Sequence, residues 1–236
     1  MTIVAVLQPS YLPWLGYFDQ IALADVFVSL DNVQYTHHDW RNRNRVKGPE
    51  GPLWLTVPVK KAGNFGQSIL DAQVDYQRNW PLKHLRTLRQ MYARAPYLDT
   101  CIDGINDILE ARLPQLVDIN LALQEYLCRQ LKIDTVLRRS SELGIDPDPF
   151  AIDPSARILG ICTALDASVY LSGASARNYL NTSLFEKAGI EVKWQDYQHP
   201  EYRQQHGDFV KNLSIVDLIF NEGPHSIQVL RQGRTS

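Results

Sequence analysis

Residues 3–30, IVAVLQPSYLPWLGYFDQIALADVFVSL, decide the fold. Ile3–Leu7 is a short continuous apolar run, partly β-branched, the pattern of a strand buried on both faces of a parallel sheet. Pro9 has no N–H to extend the ladder and pushes Gln8 out of helical geometry, so the strand stops there. From Gly16 to Leu23 the side chains of Tyr17, Phe18, Ile21 and Leu23 suit a helix lying against a sheet. Val26–Leu30 reads as a second strand. Strand, loop, helix and strand in so short a span make a βαβ unit, with a right-handed crossover. The loop Gln8–Leu15 then lies at the carboxyl end of the sheet, where open α/β folds bind ligands.

The rest of the chain extends this plan. Gln34–Lys47 shows no clean period and reads as a long functional loop or an irregular hairpin. Leu53–Val59 is a third strand, Ile69–Val74 an edge strand, Thr135–Arg139 a fourth strand, Val169–Leu171 a fifth and Ile190–Tyr197 a sixth. Lys60–Gly66 is a turn. Trp80–Arg94 is helical, with Pro81 in the first turn. Two more helices fill Tyr97–Leu127, broken near Pro114. The helical insert spans 75–131 of a single α/β domain, residues 1–236. Residues 144–154, with three prolines, form a connection within it, after which Asp153 and Pro154 open a helix. Thr182 caps another helix, ending at Gly189, and Ser214–Asp217 resembles a capping box with Asp in place of Glu.

Composition excludes several classes. The 236 residues can bury a real core, and the hydrophobic (44%) and charged (21%) fractions are those of an ordinary globular chain. A net charge of −2 gives no broad basic field for nucleic acid. No apolar run nears the roughly 18 residues of a membrane span. The N-terminus carries no signal-peptide pattern, so a cytoplasmic location is expected. Cys101, Cys128 and Cys162 are odd in number and widely spaced, so neither a disulfide framework nor a metal site is expected.

Polar and aromatic groups concentrate in Gln8–Lys47. Asp31, Asn32 and Gln34 follow the second strand at the ligand-binding edge. His37-His38-Asp39 offers a base, His38, beside an orienting carboxylate. In Arg41-Asn42-Arg43-Asn44-Arg45, extended chain would put Arg41, Arg43 and Arg45 on one face, suited to a diphosphate or carboxylate. The run is too short to make nucleic acid the preferred partner, although a transfer RNA substrate stays open. In SGASARNYL, small residues would let backbone N–H groups of Ser172, Gly173 and Ser175 approach a phosphate, with Arg177 and Asn178 as further donors. In Tyr197–His206, the side chains of His199, Tyr202 and Gln204 suit glycan or nucleotide contacts.

Gln8–Lys47, Trp54–Pro58, the SGASARNYL block and the tail YQHPEYRQQHGDFVKNLSIVDLIFNEG (197–223) together resemble the WbqC-like protein family from end to end. Its members occur in bacterial polysaccharide and O-antigen gene clusters, so the resemblance implies that setting. The span PSYLPWLGYFD with the strand after it is also similar to the first βα unit of nucleotidylyltransferases of the HxGH type, including pantothenate synthetase-like enzymes. There a Gly-His opens the helix. Here Gly16-Tyr17 stands in that place, and Tyr11 or Trp14 stands nearest the other histidine. SGASARNYL resembles the phosphate-binding Ser/Arg loop of that superfamily. A phenol donates one hydrogen bond but does not become cationic near neutral pH, so the usual adenylyl transfer is in question.

The expectation is an α/β protein with a Rossmann-like parallel sheet of HxGH nucleotidylyltransferase type and a helical insert. It would be a transferase of surface-polysaccharide synthesis that takes a nucleotide or nucleotide-sugar, with Tyr17, Asp31 and His38 as its catalytic candidates. Gln8, Tyr11, Trp14 and Gly16 would join the groups above in binding. The alternatives are an acyl- or aminoacyl-type transferase modifying a sugar amine, and a non-catalytic nucleotide- or glycan-binding accessory protein.

Overall fold

The computed structural model describes residues 1–60, 66–145 and 153–235. The turn expected at 60–66 and the Pro-rich connection therefore fall largely outside the described residues. The chain opens as the sequence reads, with β1 (Ile3–Leu7), α1 (Leu15–Leu23) and β2 (Val26–Ser29). Next comes a hairpin, β3 (Arg43–Gly48) and β4 (Gly51–Thr56), then the helices α2 (Trp80–Met91), α3 (Leu98–Glu110) and α4 (Leu116–Leu131). The remainder runs β5 (Val136–Arg139), α5 (Pro154–Ala164), β6 (Val169–Gly173), α6 (Thr182–Lys187), β7 (Glu191–Gln195), α7 (Ile215–Glu222) and α8 (Ser226–Gln232).

Five strands form one sheet in the order β5-β2-β1-β6-β7, every neighbouring pair parallel. The chain builds outward from β1 to one edge through β2 and β5, then returns to the other side of β1 for β6 and β7. This is the doubly wound, Rossmann-like arrangement, and its strand order reverses between β1 and β6. β1 alternates as a central strand should. Ala5 joins the larger hydrophobic cluster with α1, α3, α4 and α7, while Val4 and Val6 face Ile158, Ile161 and Cys162 of α5.

Two sequence assignments need correction. Leu53–Val59 does not supply a third strand of the parallel sheet, because its first half is β4, paired antiparallel with β3 in a separate two-stranded sheet. Hydrophobic alternation marks a strand but not which sheet receives it. Ile69–Val74 is no strand, and its backbone is met by single bridges such as Val59 to Val74 and Gln73 to Gln115. At α6, Asn181 rather than Thr182 holds the cap position. At α7, Ser214 caps as read, but Asp217 does not close a box. Its buried carboxylate accepts from Tyr92 Oη (2.7 Å) and Tyr202 Oη (2.8 Å) instead. Burial raises the Asp217 pKa above the usual carboxylate range, against the two phenols and Lys47, which lower it.

The three cysteines are free and buried, and burial pushes each thiol up to about 12. None of the described helices is long and apolar enough to cross a membrane.

Asp31 pins the carboxyl ends of β2 and β5 together. It is fully buried and accepts from Arg139 Nε (2.8 Å), Ser141 N (2.9 Å) and Ser141 Oγ (2.8 Å), with Ser140 Oγ 2.9 Å away. Asp31→Ala strands all of these partners. It should cost about 3 kcal/mol in urea unfolding, and a loss under about 1 kcal/mol would remove the pin from the account. His84 gives a pH signature. Burial, then the nearby Lys83, push its pKa down to about 4, with the Thr56 backbone opposing. Between pH 6.5 and 4 the unfolded chain binds a proton that the folded chain refuses, so stability falls as pH falls through that window. The loss should reach about 3 kcal/mol, and His84→Gln should flatten it in urea titrations at pH 7 and pH 4.5.

Candidate functional site

Gln8–Trp14 joins β1 to α1 without regular structure, yet much of it is buried. Its backbone groups are met from three directions, and Gly16 just beyond it from a fourth. Tyr11 N donates to Trp40 O (3.0 Å), and Asn44 Nδ2 donates to Leu12 O (2.7 Å) and more weakly to Tyr11 O (3.4 Å). Ile215 N donates to Pro13 O (2.8 Å), and Gln195 Nε2 donates to Gly16 O (3.0 Å). Leu12 holds a left-handed backbone, φ 44°, which these bonds must sustain. Gly16 is fixed by a close approach. A Cβ there would lie 2.3 Å from the Trp14 indole, which folds back over the first turn of α1 and meets Tyr197 edge-on at 5.7 Å.

This loop borders a cleft of about 1060 Å³ at the carboxyl ends of β1 and β6, beside the point where strand order reverses. Trp14, Tyr17, Trp40, Tyr170 and Tyr179 supply aromatic wall, and Gln8, Gln34, Asn44 and Asn212 supply amides. Its charged residues among those described are Arg41, Arg45 and Arg157, and no carboxylate lines it. Arg41 is clamped between Asp39 and the Gln8 side-chain carbonyl. Burial raises the Asp39 pKa, but the Trp40 N–H, the Arg41 charge and the Thr36 hydroxyl outweigh it and hold the carboxyl below its usual value. Arg45 donates to Asn212 O (3.2 Å) and meets no carboxylate among the described residues. The cleft thus offers, between aromatic faces, a guanidinium with no carboxylate partner among the described residues.

A model of the WbqC-like protein family matches residues 8–229. The chain belongs to this family. It is also similar to the uncharacterized protein Rv1507c of Mycobacterium tuberculosis, 37% identical over 233 residues that cover 98% of each chain. No solved structure matches it.

In this WbqC-like chain the residues singled out by sequence divide into three groups. Gln8, Trp14, Tyr17, Gln34, Arg41, Arg45 and Ser175 line the cleft. The Arg/Asn run is extended only from Arg43, in β3; Arg41 and Asn42 lie in the turn before it, where Asn42 N donates to Asp39 O (3.2 Å), so the three arginines do not share one strand face as expected. Asn42 and Asn44 turn inward, while Arg43 and Arg45 lie over Trp54 at 4.3 and 5.6 Å. Asn42 Nδ2 donates to Val57 O (2.9 Å), so it serves the hairpin and not the cleft.

The second group is structural. Tyr11 is wholly buried with its hydroxyl 2.9 Å from His84 Nδ1, away from the cleft. Tyr17 reaches the wall with its ring, but its hydroxyl donates to Gln124 Oε1 (2.7 Å), and burial drives its pKa above the ordinary phenol value. Its proton is therefore committed inside the fold. Asp31 is closed by its pin, and Asn32 accepts from Ser140 Oγ (2.7 Å) in the same cluster. Tyr202 is bound to Asp217, and Gln204 holds Lys47 Nζ (3.1 Å) and Val210 N (2.8 Å). Buried polar groups with satisfied partners look, in sequence, like chemistry.

The third group lies off the site. His38 is an exposed turn residue with φ 56° that does not line the cleft. Ser172 is buried against Tyr170 Oη (3.3 Å), and Arg177 lies over Trp194 at 5.2 Å. Gly173 ends β6, and Asn178 ends a short 3-10 helix, Ala174–Asn178. His199 stacks on Tyr202 outside the cleft, and burial lowers its pKa.

Sequence reasoning missed Ser10, Thr36, Arg157, Tyr170, Tyr179 and Asn212, which line the wall from separate segments along the chain. Asn44 alone had a signal, as the inward partner of the arginine face. Among the described residues no group of three or more His, Cys, Asp or Glu side chains is placed to hold a metal.

The Gly16–Trp14 packing is testable. Gly16→Ala gains helix propensity, worth about 0.5–1 kcal/mol, but displaces the indole. The single variant should lower the melting temperature and alter near-ultraviolet dichroism. In a Trp14→Ala background the same change should be neutral or stabilising.

Proposed function

We propose that this protein binds a nucleotide-activated sugar, or a related anionic activated intermediate, in the switch-point cleft, and acts as a transferase in the making of bacterial surface polysaccharide. One observation carries the binding part of this reading. Arg45, which meets no carboxylate among the described residues, presents its guanidinium on an aromatic-lined wall at the carboxyl ends of β1 and β6. A guanidinium answers phosphate oxygens in its own plane, and aromatic rings answer a base or sugar face. Arg41, already oriented by Asp39 and Gln8, adds a second donor at little entropic cost. The polysaccharide setting is supported by the family's gene-cluster context.

A specific feature favours a second reading, a non-catalytic binder. Among the described residues that line the cleft there is no His, Lys, Cys, Asp or Glu. Arginine stabilises charge but does not exchange a proton near neutral pH. A transferase here would work by holding and polarising its substrates.

Arg45→Ala should weaken binding of a uridine diphosphate sugar roughly 10- to 100-fold by calorimetry, the worth of one charged hydrogen-bonding group. Asn212→Ala, which keeps the carbonyl partner of Arg45, should bind within a few-fold of wild type. Unchanged affinity in Arg45→Ala would sink the nucleotide reading. Binding without turnover across a panel of sugar acceptors would favour the accessory reading.

A further inference from the structure

Exposed aromatic surface is concentrated in one place. The Trp and Tyr side chains that are strongly exposed among the described residues are Trp14 (36%), Trp40 (45%), Trp54 (47%) and Tyr179 (68%). Trp14, Trp40 and Tyr179 line the cleft, and Trp54 lies against Trp40 with ring centres 5.6 Å apart and planes 33° apart. Large apolar faces left in water at the mouth of a concave site mark recognition.

Trp40 is held as a platform. Its N–H donates to Asp39 Oδ1 (2.6 Å) and its carbonyl accepts from Tyr11 N (3.0 Å), so its backbone cannot drift. Arg43 covers Trp54 at 4.3 Å, and the covered Trp54 in turn props Trp40. Arg45 lies 5.9 Å from the Trp40 ring and also lines the cleft, so the platform and the anion-binding wall share a residue. Neutral amide and hydroxyl side chains, Gln8, Gln34, Thr36 and Asn212, line the same cleft.

We propose that Trp40, propped by Trp54 and flanked by Arg43 and Arg45, is a carbohydrate subsite that stacks a pyranose ring at the mouth of the cleft. A pyranose presents a face of polarised C–H groups to the electron-rich face of an indole, while its rim of hydroxyls needs amides and guanidiniums around it. The cleft supplies both. A flat lipid surface cannot follow a concavity, and Trp14, Trp40 and Tyr179 border one, between polar groups. The proposal rests on the reading that the cleft holds an activated sugar, and it adds a second ring position beside the anionic one.

The test uses the intact chain and saturation-transfer NMR with methyl glycosides of neutral hexoses and of a hexuronic acid. In parallel, calorimetry measures uridine diphosphate. Wild type should transfer saturation to ring C–H protons of at least one glycoside. Trp40→Ala should cut that signal at least fivefold and Trp54→Ala about half as much. No signal in wild type, or an undiminished signal in Trp40→Ala, overturns the proposal. Loss of uridine diphosphate affinity in Trp40→Ala with sugar contact intact gives the platform to the base and overturns it too. So does Trp40-dependent sedimentation with anionic phospholipid vesicles in the absence of any glycoside signal. Should Trp40→Ala melt early, Trp40→Leu, which keeps apolar volume without a flat face, replaces it. Glycoside binding without uridine diphosphate binding defeats the nucleotide reading alone, and the reverse defeats this one alone.

Discussion

A buried loop has backbone donors and acceptors that water cannot reach, so each needs a protein partner. That constraint on Gln8–Trp14 organises this molecule. The loop leaves the central strand, so it cannot move to the surface without leaving the sheet. The groups that meet it come from the hairpin (Asn44), from the turn before it (Trp40) and from the start of α7 (Ile215), while Gln195 of β7 holds Gly16 just beyond it. Each of these elements is thereby fixed relative to β1. The cleft wall is the outer side of the same bonding. Asn44 points inward to the loop carbonyls, so its neighbour Arg45 points outward, because successive residues of a strand face opposite ways.

This explains which parts were legible in sequence. Apolar runs with β-branched residues declare central strands, and IVAVL and VFVSL did so almost to the residue. LWLTVPV carries a similar signal, but it pairs with the Arg/Asn run through the tight turn between Gly48 and Gly51. Only the partner distinguishes a hairpin from a sheet strand, and the partner's own pattern is masked by its arginines. The stretch Ile69–Val74 is apolar enough for a strand but satisfies its backbone one bridge at a time.

The site was legible by neighbourhood more than by residue. Gln8, Trp14, Arg41 and Arg45 could be read because the segments that follow the first two parallel strands leave from the binding edge whatever their sequence. Tyr11, Asp31, Tyr202 and Gln204 have the residue types of chemistry and the positions of pins. What separates the two roles is whether partners already fill their hydrogen-bonding capacity, a property of distant segments. Asp31 meets Ser140 and Ser141 more than a hundred residues away, and Tyr202 meets the carboxylate of Asp217. Tyr179 and Asn212 carry no local mark, and their place on the wall follows from the return of the chain to β6 and α7.

One contact of the tail bears on how the chain is made. Asp19 of α1 is wholly buried, and Arg234 Nε closes it at 2.6 Å from 215 residues further on, with Gln195 at 2.9 Å. As the chain is made, α1 therefore carries a carboxylate whose cation arrives only with residue 234. The central strand waits likewise for Val169–Gly173 to give it a second neighbour. The segment that forms the binding loop is made well before the residues that complete its surroundings. A nascent chain must keep it unfinished, and shielded from other chains, until those residues have been made.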